Sequence, residues 1–470
     1  MTSPFPRLRI GRDQLLPNGT FAETQATFLQ PDAATVAELD SLLRARNVGV
    51  VAHFYMDPEL QGVLTACSWP QVYISDSLVM ADRAVAMAQA GVRAILVAGV
   101  DFMSENVRAV LDAASFAHVP VYRLARDRIG CSLAEAAESS HYAAFLAQAA
   151  EHRPALHVVY INTALRQKAS AQAVVPTITC TSSNVVHTIL QAASQLPTAS
   201  IWYGPDSYMG DNLLTLLDSL TKADLATVQA VHKDHTPASI AALLRRFHRF
   251  DQGHCIVHHL FGAQVVAQVQ REHSDALITA HFEVPGEMFA LAHAAQLQGR
   301  GMVGSTSNIL DFILEHVRNA PNGTALQVVL GTEAGMITSI VRAVQSELRR
   351  LDRTTTVDII FPVAADAVAQ TGDASLPLVP GVSGGEGCSI SGGCATCPYM
   401  KMNHLDGLIA VARAVGGEPQ LVAGMAPQMD GGRIAGKTVV ELGSIPILHM
   451  RALQKTGLLP QALLSDVLSR

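Results

Sequence analysis

Three thiols in a glycine-rich segment are the residues of this sequence best suited to chemistry. Cys388, Cys394 and Cys397 have the spacing C-x5-C-x2-C within residues 384–403, and Pro398 follows the last of them. Glycine admits backbone conformations that other residues avoid, so this segment is not regular helix or strand and its sulfurs can be aimed at one point. The spacing differs from the paired C-x2-C motifs of structural zinc sites and favours iron. Free or disulfide-bonded cysteines are the alternative.

Cysteines also recur at long intervals along the chain. Cys131, Cys255 and Cys397 are 124 and 142 residues apart, and each lies beside a predicted strand end or helix start. These intervals predict three sub-domains that each contribute one thiol. The sequence does not show whether the three sulfurs converge.

Polar pairs follow four apolar runs of the sequence. They are His53 and Tyr55, Tyr160 and Asn162, His281 and Glu283, and Thr332 and Glu333. Ligands of parallel α/β sheets bind beyond the carboxyl ends of the strands, so four pairs in equivalent positions favour a shared site. Polar loop residues without a function are the alternative interpretation.

Short apolar runs alternate with helical patterns from about residue 45 onward, and these elements must position the polar pairs. Strands are predicted at 47–55, 93–100, 155–162, 199–205, 254–260, 275–284, 325–335 and 355–363, and helices at 33–46 and around 77–91. Buried parallel strands read as continuous apolar runs, and helices form the crossovers between them. The pattern therefore predicts an α/β chain with helices on both faces of its sheets.

The length and composition indicate a multidomain protein that does not span a membrane. The chain has 470 residues, enough for two or three domains, with 49% hydrophobic and 16% charged residues. No apolar run reaches the roughly 18 residues of a membrane span. The first residues lack a secretory signal pattern and the seven cysteines are too few for a disulfide scaffold, so a cytoplasmic protein is expected. The net charge of −7, without a basic stripe, argues against nucleic-acid and membrane partners.

Ordered motifs over most of the chain carry a resemblance to a known family. They are VAHFYMDPELQ (51–61), ISDSLVMA (74–81), LVAGVDFMSENVRAVL (96–111), GCSLA (130–134), VVYINT (158–163), CTSSN (180–184), CIVH (255–258), AHFEVP (280–285), GSTSNI (304–309), GTEAGM (331–336) and CATCPYMKMN (394–403). Each motif is weak alone, but their common order is specific. The chain resembles the quinolinate synthases, the iron–sulfur enzymes of bacterial NAD biosynthesis.

The resemblance implies a particular architecture. It implies three αβα sandwich sub-domains with short parallel sheets, related by a pseudo-threefold axis around a central cluster cavity. The expected divisions are an N-terminal extension (1–44), three sub-domains (45–131, 132–257 and 258–404) and C-terminal helices (405–470) packed on the first sub-domain.

The resemblance also implies a [4Fe–4S] cluster held by Cys131, Cys255 and Cys397. An iron without a protein ligand would act as a Lewis acid. The implied reaction is a transferase or dehydratase-type condensation of iminoaspartate with dihydroxyacetone phosphate, which gives quinolinate, phosphate and water. Cys388 and Cys394 are either extra loop cysteines with a structural or redox role or two free thiols.

Further site residues follow from the resemblance, position by position. The implied catalytic residues are His53, Tyr55, Tyr160 and Glu283, with Glu283 as the general base although Phe282 replaces the family's proline. The implied substrate-binding residues are His53, Ser77, Tyr160, Asn162, Ser182, His281, Glu283, Ser305 and Thr306. Helix capping is the alternative for the hydroxyls. Lys168 is expected to add positive charge, and His258 either approaches the cluster or fills space.

The implied partners are small molecules, with transient contact to the enzyme that oxidises L-aspartate to supply the unstable imine. A second hypothesis is a zinc-stabilised protein that binds or senses a phosphorylated metabolite, in which the cysteine-rich segment is a zinc clip. The two hypotheses differ on Cys131 and Cys255, because a zinc clip would keep its metal without them.

Overall fold

A computed structural model describes residues 4–362 and 396–470 of the chain. The chain divides into two compact units. Unit 1 comprises Met1–Val100, His118–Ile129 and Ile256–Ala426, and unit 2 comprises Asp101–Ala117, Gly130–Cys255 and Pro427–Arg470. Cys388 and Cys394 lie outside the described residues, so the predictions for them are not addressed by the structure.

The N-terminal segment forms a hairpin and two helices in unit 1. Its elements are β1 (Arg7–Ile10), β2 (Leu15–Asn18), α1 (Thr20–Phe28) and α2 (Ala33–Arg46). Asp32 caps α2 by accepting the N–H of Thr35, and Asn47 ends it in the left-handed conformation. The helix predicted at 33–46 is confirmed.

The next segment builds the first parallel sheet. Its elements are β3 (Val48–His53), α3 (Pro58–Ala66), β4 (Val72–Ser75), α4 (Ser77–Gln89), β5 (Ala94–Ala98), α5 (Asp101–Ala113) and β6 (Val121–Arg123). The strand order is β4-β3-β5-β6, and all pairs are parallel. The four strands belong to unit 1, whereas α5 belongs to unit 2. All six residues of β3 are buried, as its unbroken apolar run predicts.

Unit 2 contains the second parallel sheet. Its elements are α6 (Ser132–Ala137), α7 (Ser140–Glu151), β7 (Ala155–Tyr160), α8 (Leu165–Val174), β8 (Thr177–Cys180), α9 (Val185–Gln195), β9 (Ser200–Gly204), α10 (Ser207–Thr221), α11 (Leu225–Val231), α12 (Pro237–Leu244) and β10 (Phe247–Arg249). The strand order is β10-β9-β7-β8. Tyr142, Phe145, Trp202 and Phe250 form the aromatic part of the core that packs on this sheet.

The third sheet lies in unit 1. Its elements are α13 (Ala263–Glu272), β11 (Leu277–His281), α14 (Gly286–Gln296), β12 (Gly301–Gly304), α15 (Thr306–Asn319), β13 (Ala325–Gly331), α16 (Ile337–Arg350) and β14 (Thr356–Ile360). The strand order is β12-β11-β13-β14-β1-β2, in which the N-terminal hairpin extends the parallel strands in antiparallel fashion. The buried core on this sheet includes residues of β1, α15 and α16.

The C-terminal elements divide between the units. They are α17 (Leu405–Ala414), α18 (Pro419–Ala423), β15 (Arg433–Ile434), β16 (Lys437–Thr438), α19 (Val439–Thr456) and α20 (Gln461–Ser469). In unit 1, α17 packs on α2 and β5, whereas in unit 2 α19 packs on α8 and β8. Within the described part of the chain, no helix combines the length and the apolar character that a bilayer span requires.

The three parallel sheets share one strand order. In each of them, the first strand along the chain lies between the second and the third, and the fourth strand lies beside the third. The predicted α/β class, with short parallel sheets flanked by helices, is confirmed. The predicted sub-domain boundaries stay predictions. The prediction of a strand at 254–260 is wrong. His258–Leu260 form a 3-10 helix instead, and the side chain of His258 contacts Glu283.

Candidate active site

Three strands of unit 1 end in buried polar residues. His53 ends β3 and Tyr55 follows it, while His281 ends β11 and Glu283 follows two residues later. Thr332 and Glu333 follow β13, which is hydrogen-bonded to β11 along its length. All of these except Tyr55, which is partly buried, are less than a tenth exposed. The carboxyl ends of these strands therefore carry several polar groups that are withdrawn from water.

A chain of hydrogen bonds connects these groups. The Tyr55 hydroxyl lies 3.2 Å from Thr332 Oγ1, which in turn lies 3.2 Å from His258 Nε2. His258 Nδ1 is 3.1 Å from Glu283 Oε2. With Glu283 ionised, His258 donates from Nδ1 and accepts at Nε2, so Thr332 donates to His258 and accepts from Tyr55. The chain can carry a proton between the phenol and the buried carboxylate.

Two further histidines of the cluster are held neutral. Burial lowers the pKa of His53 to about 4 and that of His281 to about 3, although the Glu283 carboxylate opposes both shifts. The Nδ1 of His53 accepts the backbone N–H of Tyr55 (3.2 Å), and the Nδ1 of His281 accepts that of Glu283 (3.3 Å). Each ring therefore carries its proton on Nε2, the form that donates to an anionic ligand.

A close approach of two backbone segments fixes Tyr55 beside Thr332. Gln61 donates from Nε2 to the carbonyls of Phe54 and Met56, both in the loop after β3, and to that of Gly335, each within 2.9 Å. A Cβ added to Gly335 would lie 2.9 Å from Tyr55 Cα. Only glycine allows this packing. The sequence GTEAGM therefore contains both Thr332, a member of the hydrogen-bond chain, and Gly335, which allows the close approach to Tyr55.

A second buried carboxyl group lies beside one predicted metal ligand. Glu333 accepts the backbone N–H of Cys397. Burial raises the pKa of Glu333 well above its ordinary value and Glu283 adds to the shift, while the Cys397 N–H and Lys401 oppose it. Burial lowers the pKa of Lys401, against the pull of Asp57, Glu333 and Cys397. The segment that carries Cys397 is thus anchored next to the polar cluster of unit 1.

The predicted hydroxyl ligands of unit 1 lie at helix starts. Ser77 is the first residue of α4, where Asp76 rather than Ser77 provides the cap. Ser305 caps α15 in a capping box with Asn308, and Thr306 is the first residue of that helix. The capping interpretation therefore holds for Ser305, and all three hydroxyls lie at a helix N-terminus, the end of a helix that favours anions.

The remaining predicted substrate residues belong to unit 2. Tyr160 ends β7 and is 4% exposed, and Asn162 lies in the connection to α8. Ser182 is half-buried in the turn before α9. Lys168 does not present charge to a ligand, because it is fully buried in α8. Tyr160 and Asn162 therefore lie at and just beyond the carboxyl end of β7, and Ser182 lies just beyond that of β8.

Two of the predicted metal ligands are brought near each other in unit 2. Ser132, next to Cys131, donates from Oγ to the carbonyl of His254, next to Cys255, at 2.8 Å. The His254 ring is held in turn by Ser207 Oγ, 2.6 Å from its Nδ1. Cys131, Cys255 and Cys397 are all half-buried cysteines. Thiols with this accessibility suit metal ligation better than packed, inert cysteines do.

Sequence reasoning identified part of the unit 1 cluster. The strand-end rule led to His53, Tyr55, His281 and Glu283, all of which the structure brings together. Thr332 also follows an apolar run, but the sequence assigns it no role. For His258 the sequence leaves two interpretations, contact with the cluster or simple packing. The signal for Thr332 was its position after β13, whereas the role of His258 depends on a fold-determined contact that no local pattern reveals.

Comparison with known proteins decides the family. The family model described as "Quinolinate synthetase A protein" matches residues 37–416. The chain belongs to the quinolinate synthase family. The predicted identity and the prediction of an enzyme of NAD biosynthesis are thereby confirmed.

Relatives extend this match over nearly the whole chain. A quinolinate synthase of Nicotiana tabacum is 51% identical over 99% of this chain and 67% of its own length. One of Oryza sativa subsp. japonica is 51% identical over 99% of this chain and 69% of its own. A quinolinate synthase of Cyanothece sp. is 28% identical over 64% of this chain and 72% of its own.

The comparison also corrects one expectation. The prediction of a cytoplasmic location is wrong, because the tobacco and rice relatives are both named as chloroplastic proteins. The prediction rested on the absence of a secretory signal at the first residues, a pattern that does not distinguish the cytoplasm from a plastid.

Members of this family bind a metal cofactor, and suitable donors are present in the chain. Cys255 ends the middle of the three segments of unit 2, and His258 and Glu283 follow it in the sequence and belong to unit 1. Their thiolate, imidazole and carboxylate are donor types that protein metal sites use.

Proposed function

We propose that this enzyme condenses iminoaspartate with dihydroxyacetone phosphate to give quinolinate, phosphate and water. The observation that carries the proposal is the buried chain from Tyr55 through Thr332 and His258 to Glu283, in a member of the quinolinate synthase family. Ring formation by loss of water and phosphate needs repeated proton transfers at carbon and oxygen. A relay that ends in a carboxylate can accept and return those protons.

The residues of unit 1 divide the work in this proposal. Tyr55 exchanges a proton with an oxygen of the intermediate, and Glu283 is the general base that receives it through the relay. The neutral rings of His53 and His281 donate from Nε2 to substrate carboxylates. Proton transfer by positioned groups of this kind contributes roughly 10²- to 10⁴-fold to a rate.

Anion binding falls to the hydroxyls at helix starts. Ser77, Ser305 and Thr306 hold the phosphate and carboxylate groups, because their hydroxyls lie at helix N-termini, where the helix dipole favours anions. Tyr160, Asn162 and Ser182 provide further polar contacts, and Tyr160 also exchanges a proton with the substrate. Tyr160 is the last residue of a buried strand and is itself buried, so its phenol is suited to a water-poor site.

Cys131, Cys255 and Cys397 would hold the metal cofactor, which we propose is a [4Fe–4S] cluster. The donors fit this group, because all three are cysteines that are half-buried rather than enclosed in the core. With these three thiolate ligands, the cluster would keep one iron without a protein ligand, and it would supply Lewis acidity for the loss of hydroxide. A transient contact with an enzyme that oxidises L-aspartate would deliver the unstable imine.

The test is an anaerobic preparation of the full chain supplied with iminoaspartate and dihydroxyacetone phosphate. We expect a brown protein that releases quinolinate, with an iron-to-sulfide ratio of about one and loss of iron in C131S, C255S and C397S. Cys67→Ser is the matched control, since Cys67 lies outside the proposed ligand set. A colourless zinc-loaded preparation that is active, or metal retained in C131S and C255S, would favour the zinc-stabilised binding protein instead.

A further inference from the structure

A buried lysine and a half-buried glutamate of unit 2, Lys168 and Glu105, attract each other electrostatically and are not used by the proposed chemistry. Lys168 of α8 is fully buried, and its Nζ donates to the carbonyls of Ile161 (3.0 Å) and Thr163. Both carbonyls belong to the four-residue connection between β7 and α8. The ammonium therefore binds the inside of an irregular loop and not a partner at the surface.

The glutamate holds the other end of the same connection. Glu105 of α5 accepts the backbone N–H of Leu165, the first residue of α8, through Oε2 at 2.7 Å. This helix start has no side-chain cap of its own, because residue 164 is an alanine. Glu105 supplies the missing acceptor from a different helix.

The connection is held at its strand end as well. Ile161 donates its N–H to the carbonyl of Cys180 (2.8 Å), and Thr163 Oγ1 donates to the carbonyl of Tyr160 (3.1 Å). Every residue from 160 to 165 except Asn162 and Ala164 thus takes part in one of these bonds. Asn162 and Ala164 are the partly exposed residues of the loop, and of these two only Asn162 has a polar side chain.

A purely structural role explains this pair poorly. Burial lowers the pKa of Lys168 to about 7, although Glu105 and Cys180 oppose the shift, and burial raises the pKa of Glu105. Removing charged groups from water costs free energy, and apolar residues of similar size are often as stabilising or more so. What a charged pair adds at this position is a fixed path for the loop backbone.

We propose that Lys168 and Glu105 are positioning residues that fix the Tyr160–Asn162 segment so that its side chains can hold the substrate. The proposal rests on the proposed function, in which Tyr160 and Asn162 contact the substrate. Lys168 and Glu105 act only through the loop. Their loss should therefore weaken substrate binding through Asn162 and leave the relay of unit 1 intact.

The first measurement follows the loop without reference to activity. Amide hydrogen exchange of the full chain is compared between wild type, Lys168→Met and Glu105→Gln. We expect faster exchange at residues 161–165 in both variants, and little change in the strands β7 and β9. Glu105→Gln keeps an oxygen acceptor and serves as the milder variant if K168M does not fold. Unchanged exchange at 161–165 in a folded variant would overturn the proposal.

The second measurement links the loop to the substrate. We expect Lys168→Met to raise KM about tenfold with kcat changed less than about threefold, and the effect to be non-additive with Asn162→Ala. Gln172→Met is the matched control, since Gln172 lies one turn further along α8, is buried and bonds the N–H of Thr177 rather than this loop. Additive effects, or an equal rise in KM for Q172M, would overturn the proposal. If wild type makes no quinolinate, the proposed function fails, while the exchange measurement still decides whether the pair fixes the loop.

Discussion

At the scale of single residues, the protonation and the hydrogen bonds of each group depend on its neighbours as well as on its residue type. Thr332 would be an ordinary buried threonine if the Tyr55 hydroxyl and the His258 ring did not lie on either side of it, each 3.2 Å away. His53 and His281 are neutral because they are buried and because each Nδ1 accepts a neighbouring N–H. The sequence identified the residue types, whereas the fold determines their protonation.

Removing the middle of the relay tests whether the chain of hydrogen bonds is used. Thr332→Val keeps the shape of the side chain and removes the hydroxyl that joins Tyr55 to His258. We expect kcat to fall about 10²-fold, the scale of a lost proton-transfer group, with KM changed little. The measurement is steady-state kinetics of quinolinate release.

Thr338→Val is the control for this substitution. Thr338 is buried in α16 of the same unit, and its hydroxyl has no hydrogen-bond partner among the described residues. A kcat for T332V that matches that of T338V would show that the threonine hydroxyl does not transmit protons.

The sequence predicted only the part of the cluster that local patterns can encode. His53, Tyr55, His281 and Glu283 follow apolar runs, so the rule about strand ends finds them. His258 follows no strand, because His258–Leu260 form a 3-10 helix within the run for which a strand was predicted. Its two bonds join residues 25 and 74 positions away in the chain, and such separations leave no local signal.

At the scale of elements, the turn after β13 holds the loop after β3 in place. Gln61 of α3 bonds carbonyls of both segments, and Gly335 allows them to approach. The hydrogen bond between Tyr55 and Thr332 therefore depends on the backbone packing of Gly335, three residues after Thr332. The motif GTEAGM was recognised as part of the family pattern, but its tight contact with Tyr55 could not be read from the sequence.

Adding one methyl group at this approach should disturb the site. In Gly335→Ala, the new Cβ would lie 2.9 Å from Tyr55 Cα and 3.0 Å from the Phe54 carbonyl, so the loop after β3 must shift. We expect a loss of stability of about 1–3 kcal/mol, typical of overpacking, and a fall in kcat. Urea unfolding and steady-state kinetics measure the two effects.

Gly286→Ala is the control for added volume. Gly286 begins α14 in the same unit, and nothing lies within 4 Å of a Cβ placed there. Equal stability and turnover in G335A and wild type would mean that the close approach does not constrain Tyr55.

At the scale of the whole molecule, the α/β class followed from the sequence while the extent of the third sheet did not. Three segments repeat one strand order, and their longer strands were predicted from apolar runs. The hairpin of β1 and β2 was missed, because its place is fixed by long-range contacts. Arg9 binds the buried Asp358 of β14 at 2.6 Å, 349 residues away.

The buried histidines make stability depend on pH. Burial lowers the pKa of His157, in the core of unit 2, from 6.5 to about 3. Between these values the unfolded chain binds more protons than the folded one, so the free energy of unfolding falls as the pH drops from 6.5. Each such histidine contributes about 1 kcal/mol per pH unit within this window.

The contribution of one histidine can be separated by substitution. His157 bonds the Tyr142 hydroxyl at 2.9 Å, and the side-chain amide introduced by His157→Gln would keep a hydrogen-bonding group there without a titratable ring. We expect the free energy of unfolding of this variant to depend less steeply on pH between 6.5 and 4 than that of wild type. Urea unfolding at three pH values measures it, with the exposed His141→Gln as the control for loss of an imidazole. Equal slopes for H157Q and wild type would contradict the assignment.

The most direct test of the account is Glu283→Gln, assayed for both metal and turnover. In the proposed function, the relay that ends at Glu283 transfers protons and the three cysteines bind the metal. An anaerobic preparation of E283Q should therefore keep a normal iron content and visible spectrum while its turnover falls at least about 10²-fold. Glu287→Gln, an exposed neighbour, is the control. Turnover of E283Q equal to that of wild type, with normal iron content, would show that the buried carboxylate does not act as the base.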